Sequence, residues 1–585
     1  MGLLLLGWYL GNGSWSQPAT DTIGLSYLPF ALLQHRTVFL SAYSPVQESV
    51  VVHGQIVCKY SVGTALTALP VYVPYVVVGG HFSPAAAAVI GKVSGGLLTA
   101  IAGVAEYYAM LRLWRSVGIA TCGGVLFGFG TEVSSIASQG LWEQTGAVLW
   151  LAVLLLVGAW ITERPDEPWL YVAAGGAAGM TALCRPQDVL LAGPILLGIV
   201  WLGWRRGGGG RRSLLLEVLG GLPLLVVEVG YNEVAFGSVL RTGYASRASG
   251  VLGMFSNPLG SGLVGLLLSP SKGWVVYNPW IILPVVVGVC LVVRVAVRRV
   301  TALPRGGYLV TSGVVGVTGY VCLMAVYYQW PGGYTFGPRY ELDAVPVLVM
   351  ASVWSALVIM MDAGEDVWGM RLSRLREVAG SAIVITCCWS MLLQGAGTYV
   401  LSGYNWNLAA SEDDIFSWQG SQMMYYLRAL SAELFPARLS VIQGPVEFRG
   451  PVLRSGVTLL NSSPGAARVT CLAPNSLYWG YVTVVNRGEQ KLSAFPDGSG
   501  VGEMVVSYHV YKSGRLIAYD GEAIHLLWSI PPGGRRLVQF QITTPTKAGT
   551  YEYVITGLQE GVRWLQQGQG PGDSTVMELT VSSRC

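Results

Sequence analysis

Trp142-Glu-Gln-Thr-Gly-Ala-Val-Leu-Trp-Leu-Ala-Val-Leu-Leu-Leu-Val-Gly-Ala-Trp-Ile161 carries one charged side chain, Glu143, at the start of an otherwise apolar run. A helix of about 20 apolar residues satisfies its own backbone hydrogen bonds and spans a bilayer core. The pattern repeats in both directions along the chain. Candidate spans are 1–10, 85–111, 118–138, 142–161, 169–183, 189–204, 213–230, 274–293, 308–328, 343–361 and 381–400. The first is too short to cross alone, and no basic flank precedes it as in a signal peptide. It reads as the end of a span that begins upstream.

Composition agrees. Of 585 residues, 52% are hydrophobic and 12% charged, against about a quarter charged in an ordinary soluble domain. From about residue 440 the long apolar runs stop and short alternating runs begin. The expected architecture is a polytopic α-helical membrane bundle of about eleven spans over 1–400 with a long first loop, 11–84. A connector, 401–440, and an antiparallel β-sandwich, 441–585, follow it. In the last part, Tyr481-Val-Thr-Val-Val-Asn-Arg-Gly488 and Glu503-Met-Val-Val-Ser-Tyr-His-Val-Tyr511 alternate. Pro531-Pro-Gly-Gly534, Thr544-Pro-Thr-Lys-Ala-Gly549 and Gln569-Gly-Pro-Gly-Asp573 supply turns. The run Pro-Pro-Gly…Thr-Pro…Ala-Gly-Thr-Tyr-Glu-Tyr resembles bacterial Ig-like modules. A stabilising or spacing role is its plain reading; glycan binding by Trp479 or Trp564 is the sharper one.

Arginines orient the bundle. One set of short loops holds Arg112, Arg115, Arg164, Arg205, Arg206, Arg211, Arg212, Arg294, Arg298, Arg299, Arg305, Arg371, Arg374 and Arg376. The opposite, longer loops hold Arg36, Lys59, Arg185, Arg241, Arg247, Lys272 and Arg339. Short basic loops face the cytoplasm, so the long loops and the β domain are expected outside. The apolar segment 62–80 contains Pro70 and Pro74 and breaks this alternation if counted as a crossing. It reads as a helix lying on the outer leaflet. Gly207 to Gly210, between arginines, reads as a flexible loop.

The outer loops resemble a family, the bacterial GT-C membrane glycosyltransferases. The matching residues are Asp21-Thr-Ile-Gly-Leu-Ser-Tyr-Leu-Pro-Phe, then His53-Gly-Gln-Ile-Val-Cys-Lys59-Tyr60-Ser-Val-Gly, then Ser138-Gln-Gly-Leu-Trp142. Arg185-Pro186, Tyr231-Asn232 with Phe236-Gly237, and Leu268-Ser-Pro-Ser-Lys-Gly273 follow in the same order. Trp330-Pro-Gly-Gly-Tyr-Thr-Phe-Gly-Pro-Arg339-Tyr340 is the strongest piece. The likeness covers about residues 15–430. It implies transfer of a sugar from a polyprenyl-phosphate carrier to an extracytoplasmic glycan, lipid or protein, with membrane lipid as surroundings and no nucleic-acid partner. Asp21 is then the base that takes the acceptor's proton. Lys59 and Arg339 are the cations on the departing phosphate. Direct displacement inverts the anomeric carbon. His53, Tyr60, Trp142, Glu143, Arg185, Tyr231, Lys272 and Tyr340 are expected to line the site.

Plain alternatives stand beside these roles. Asp21 also suits a helix N-cap, Lys59 a snorkelling position at the headgroups, and Arg339 a pair with Glu341 or Asp343. The family often carries histidine where Gln144 stands, a departure that weakens a metal or second-base role there. The five histidines and nine cysteines have no metal spacing. Some GT-C enzymes hold Mg or Mn by carboxylates, so a divalent ion is compatible with the likeness but not legible. Cys471 and Cys585 are a candidate disulfide if their domain is outside. Gly260-Ser-Gly-Leu-Val-Gly265 matches a dinucleotide fingerprint by letters only, since no βαβ pattern surrounds it. A transporter or flippase for lipid-linked sugars, using Lys92 and Glu106 as intramembrane charges, is the main alternative. A scaffold that presents the β domain is a third reading.

Overall fold

The computed structural model describes the chain except residues 14, 16–17, 45, 48, 206–208, 245–250, 297–303, 334, 362–371, 400–405, 411, 436–438, 440, 443–444, 455–470, 497–500, 566–572 and 583–585. Two compact units result, Met1–Tyr399 and Val400–Cys585.

The first unit is helical. Among the described residues, seven helices are long and apolar enough to cross a membrane, or eight if one bent pair counts as a span. Among the described residues this is fewer than the expected eleven, for local reasons. The segment 1–10 forms only the nine-residue helix Gly2–Leu10. The expected span 169–183 becomes the 17-residue helix Pro168–Cys184, about 26 Å long at 1.5 Å per residue. The span 274–293 breaks after Trp274–Tyr277 and resumes as Ile282–Ala296. Asn278 before Pro279 causes that break: a proline lacks the N–H and pushes its predecessor out of helical geometry. Asn278 accordingly sits at φ −129°, ψ 67°. The span 118–138 bends by 41° between Val117–Phe129 and Glu132–Gln139.

Helix ends follow from their sequences. Ser83 caps Pro84–Trp114 by accepting from the Ala86 N–H at 3.1 Å, and Pro84 stands at the first helical position, where no N–H is needed. The helix stops at Arg115, which is left-handed at φ 53°. Pro168–Cys184 and Gly210–Phe236 pack backbone to backbone at Gly175 and Gly220. A Cβ on Gly175 would lie 1.8 Å from the Glu217 carbonyl oxygen, and one on Gly220 would lie 2.0 Å from that of Val172. Small residues at such contacts replace the missing hydrophobic drive between helices in lipid.

The first loop is more structured than its sequence suggests. It contains the helix Asp21–Phe30, the hairpin β1 (Ser49–Val52) and β2 (Gln55–Cys58), and the helix Gly63–Val77 with Pro70 and Pro74 inside. His53 and Gly54 form the hairpin turn at φ 49° and 79°, the signs a two-residue type I′ turn requires. Gly63–Val77 buries Gly63, Thr64, Ala65, Ala68 and Tyr72 on one face.

The second unit carries two β-sheets. One has β3 (Val446–Arg454), β5 (Leu477–Asn486) and β9 (Arg535–Thr543) in the order β3-β5-β9. The other runs β4 (Cys471–Leu472), β12 (Ser574–Val581), β10 (Gly549–Gln559), β6 (Met504–Lys512), β7 (Arg515–Ala518). The short strands β8 (Ile524–His525) and β11 (Arg563–Trp564) pair beside this path. Val482, Val484, Phe540, Ile542, Tyr553 and Ile555 point inward. The Thr543 N–H donates to the Tyr508 hydroxyl at 3.1 Å, which joins the sheets. Pairing is antiparallel except between β4 and β12, which run parallel, a departure from the expected all-antiparallel pattern. Trp479 is buried, and Trp564 is half-buried against His509, ring centres 4.3 Å apart. The connector 401–440 falls inside this unit and holds the helix Gln422–Leu434. Cys585, and with it the candidate disulfide, lies outside the described residues, as do Arg206, Arg247, Arg298, Arg299, Arg371 and the turn 569–572.

Gly175→Ala should lower the thermal stability of the detergent-solubilised protein, because overpacking costs about 1–3 kcal/mol. Gly193→Ala, with nothing within 4 Å, should be neutral or slightly stabilising.

Candidate active site

The Arg339–Ala344 turn brings the site together. Gly332, Gly333 and Gly337 before it adopt φ of 81°, 70° and 65°, which lets the chain fold back tightly and deliver Arg339 inward. Its guanidinium pairs with Asp21 and lies 3.8 Å from Glu143 Oε1 through Nη2. On the other side of Asp21, Lys59 Nζ stands 3.6 Å from Oδ1. Glu143 Oε1 lies 3.2 Å from Arg185 Nε, and Arg185 pairs in turn with Asp343. Six side chains thus alternate in sign: Lys59, Asp21, Arg339, Glu143, Arg185, Asp343.

Burial is graded along this chain. Side-chain exposure is 0% at Asp343, 2% at Arg185, 3% at Glu143 and 7% at Arg339, then 13% at Lys59 and 20% at Asp21. The Asp343 end is the more buried, and the Asp21–Lys59 end is the more exposed. Asp21 is the first residue of its helix, and Thr20 occupies the cap position. Burial pushes its carboxyl upward, but Arg339, Lys59 and a hydrogen bond from Tyr60 outweigh this and hold it well below the usual carboxylate range.

Aromatic rings and further donors frame the charges. Arg339 lies over the Trp142 ring at 4.8 Å, Arg185 over Tyr340 at 5.8 Å and Lys59 over Tyr60 at 4.9 Å. The Tyr231 hydroxyl donates to the Tyr60 carbonyl at 3.1 Å and so anchors the segment after β2. Lys272 is buried and donates to the Thr335 carbonyl at 2.6 Å. Burial first, then nearby Arg339, push its ammonium down to about 7. His53 stands exposed at the hairpin tip and is not joined to the others by these contacts.

Beside the charges is a cavity of about 280 Å³. Lys59 and Arg185 bring charge to its wall, Ser61, Gln187, Asn232, Thr242 and Tyr340 add polar groups, and Phe236, Leu240, Met254, Phe255 and Met324 are among its apolar lining. It can take a ligand with an anionic head and an apolar body. Among the described residues, no group of three or more His, Cys, Asp or Glu side chains is placed to hold a metal ion.

No protein-family model matches the chain, and no curated protein matches it. Among solved structures, ArnT from Cupriavidus metallidurans bound to undecaprenyl phosphate is similar over 74% of this chain and 69% of its own, at 12% identity and a TM-score of 0.41. The CARDB domain of PF1109 from Pyrococcus furiosus matches over 24% of this chain and 93% of its own, at 17% identity and a TM-score of 0.15. The same domain in complex with di-metal ions matches over 23% and 89%, at 20% identity and a TM-score of 0.13. All three scores are too low to establish a shared fold.

Sequence reading missed Tyr244, whose hydroxyl donates to both Glu143 oxygens at 2.7 and 2.8 Å. It also left Asp343 as an alternative partner of Arg339, whereas the structure pairs it with Arg185 and with the Tyr320 hydroxyl at 2.6 Å. Nothing local marks Tyr244. The hairpin of β1 and β2 was legible in principle, from valine-rich runs around His53-Gly54.

Removing one partner of a buried ion pair costs about 3–5 kcal/mol. Arg185→Met should therefore lower stability strongly by thermal unfolding, and Lys59→Met, at the open end, much less. The depressed Asp21 carboxyl adds stability that is complete above the ordinary range near pH 4 and is lost as pH falls through its folded value. Arg339→Gln should shrink that acid-side loss, read as thermal unfolding from about pH 6 to about pH 3.

Proposed function

We propose that this chain is a membrane glycosyltransferase that moves a sugar from a polyprenyl-phosphate donor to an acceptor outside the cytoplasm. One observation carries the reading: a carboxylate held between two cations, at the open end of a charge chain, beside an apolar cavity. A lipid phosphate needs fixed cations for its head and apolar walls for its chain, and an acceptor hydroxyl needs a base within reach. Lys59 and Arg339 supply the cations, and Lys59 and Arg185 line the cavity.

The chemistry couples donor binding to base strength. With both cations turned to Asp21, its carboxylate is a weak base. A phosphate between Lys59 and Arg339 competes for them, and the Asp21 carboxyl then rises toward its ordinary value. It accepts the acceptor's proton as the hydroxyl oxygen attacks the anomeric carbon. The bond to the phosphate oxygen breaks, and Lys59 and Arg339 receive the new negative charge. Attack opposite the leaving group inverts the centre.

The arginine asymmetry of the loops supports a site at the extracytoplasmic rim of the cell membrane, with the β domain on the same side. In this reading Gly63–Val77 lies on the outer leaflet and the β domain is a stabilising module. The flippase reading uses Lys92 and Glu106 as intramembrane charges. They stand on one helix, fourteen residues and about 21 Å apart, and Lys92 donates to Gln139 Oε1 at 2.6 Å.

In proteoliposomes with a labelled polyprenyl-phosphate sugar, Asp21→Asn should cut sugar release or transfer about 10²–10⁴-fold while the donor still binds. Lys59→Met should instead weaken donor binding. Full transfer by the Asp21→Asn protein would remove Asp21 from the mechanism and overturn the proposal.

A further inference from the structure

The other end of the bundle holds a second polar cavity. Glu143 and Glu163 mark the two ends of one 21-residue helix, so this cavity lies about 30 Å from the charge chain, one hydrocarbon thickness away. Its volume is about 420 Å³, and Arg112, Arg115, Arg305, Glu163, Thr162 and Tyr308 supply its polar lining.

Three guanidiniums face a single carboxylate there. Glu163 is shared by Arg112 Nη1 at 3.2 Å and Arg115 Nη2 at 3.5 Å, which leaves an excess of two positive charges. Arg112 is accounted for by the C-terminal end of its own helix, where a cation is favourable. Arg305 has no such explanation, since it precedes the N-terminal end of Gly307–Val326. Its backbone is nonetheless fixed in place. The Trp114 indole donates to the Arg305 carbonyl at 3.1 Å, and Gly306 turns at φ 82° against Leu113. Tyr308 and Thr162 close the wall with a 2.8 Å hydroxyl contact. Around this end stand Trp114, Trp160, Trp169, Trp201 and Trp204, the last three exposed. Such a girdle of tryptophans sits at headgroup level.

We infer that this cavity is a binding site for the phosphate of an anionic membrane phospholipid, a site distinct from the donor's. Arg115 and Arg305, both exposed, clasp the phosphate oxygens, while Glu163 offsets part of the positive charge of Arg112 and Arg115. A basic pocket between helix ends at a membrane face is suited to this chemistry. A soluble phosphate presents the same oxygens, and the test separates the two sources.

The full chain is reconstituted in nanodiscs of phosphatidylcholine mixed with phosphatidylglycerol or cardiolipin, and retained lipids are weighed by native mass spectrometry. Wild type should retain the anionic lipid preferentially. Arg115→Gln with Arg305→Gln should reduce that preference by roughly fivefold for each guanidinium removed. Glu163→Gln should raise it, a gain that a misfolded variant cannot produce. Equal retention of both lipids by wild type, or an unchanged preference in the double variant, overturns the site. If millimolar inorganic phosphate abolishes the preference at matched ionic strength, the site takes soluble phosphate and the lipid assignment falls. Persistence of the preference supports it.

Discussion

Six charges of alternating sign, running from Lys59 through Asp21, Arg339, Glu143 and Arg185 to Asp343, hold the helical unit in register. They come from five separate places in the chain, Arg339 and Asp343 sharing the Arg339–Ala344 turn. An unpaired charge in such surroundings costs several kcal/mol, so each segment is held where its partner needs it. The first loop is tied to the Arg339 turn, that turn to the start of the Glu143 helix, and that helix to the end of Pro168–Cys184. The chain is neutral as a whole, which lets it exist in a poorly solvated place.

The gradient of burial gives the chain a direction. At its deep end Asp343 and Arg185 are buried, and the Tyr320 hydroxyl bridges them. At its open end Asp21 and Lys59 keep contact with solvent. A ligand that enters there exchanges with protein charges already in place. Such preorganised charge stabilises a developing anion without the reorganisation that water would require. The opposite end of the same helix is built differently: an excess of positive charge, one shared carboxylate and a ring of tryptophans. One end of the bundle is charge-balanced, the other carries an excess of positive charge.

Much of this was legible in the residues. The apolar runs, the shift to strand-like alternation near residue 440, and the turn-rich approach to Arg339 all have local causes. The errors also had local causes. Asn278-Pro279 ended a helix that hydropathy alone continued, and Gly130-Thr131 bent another. Hydropathy counts apolar area and is blind to a missing N–H or a forced backbone angle. The short helix Asp21–Phe30 was expected from its apolar pattern, but the β1–β2 hairpin that sets Lys59 beside it was overlooked.

By itself the sequence determined that long apolar helices precede a β domain, because hydrophobic periodicity and turn chemistry act over a few neighbouring residues. Asp21, Lys59 and Arg339 stood out from the other charges of the long polar loops only through the family resemblance. Only the tertiary structure decided which charge faces which. That Arg185 binds Asp343, that Glu143 is shared by Arg185 and Arg339, and that Tyr244 donates to Glu143 are contacts across 42 to 196 positions of chain. Coulomb attraction and hydrogen bonding depend on distance in space, and only packing of the helices converts remote positions into neighbours.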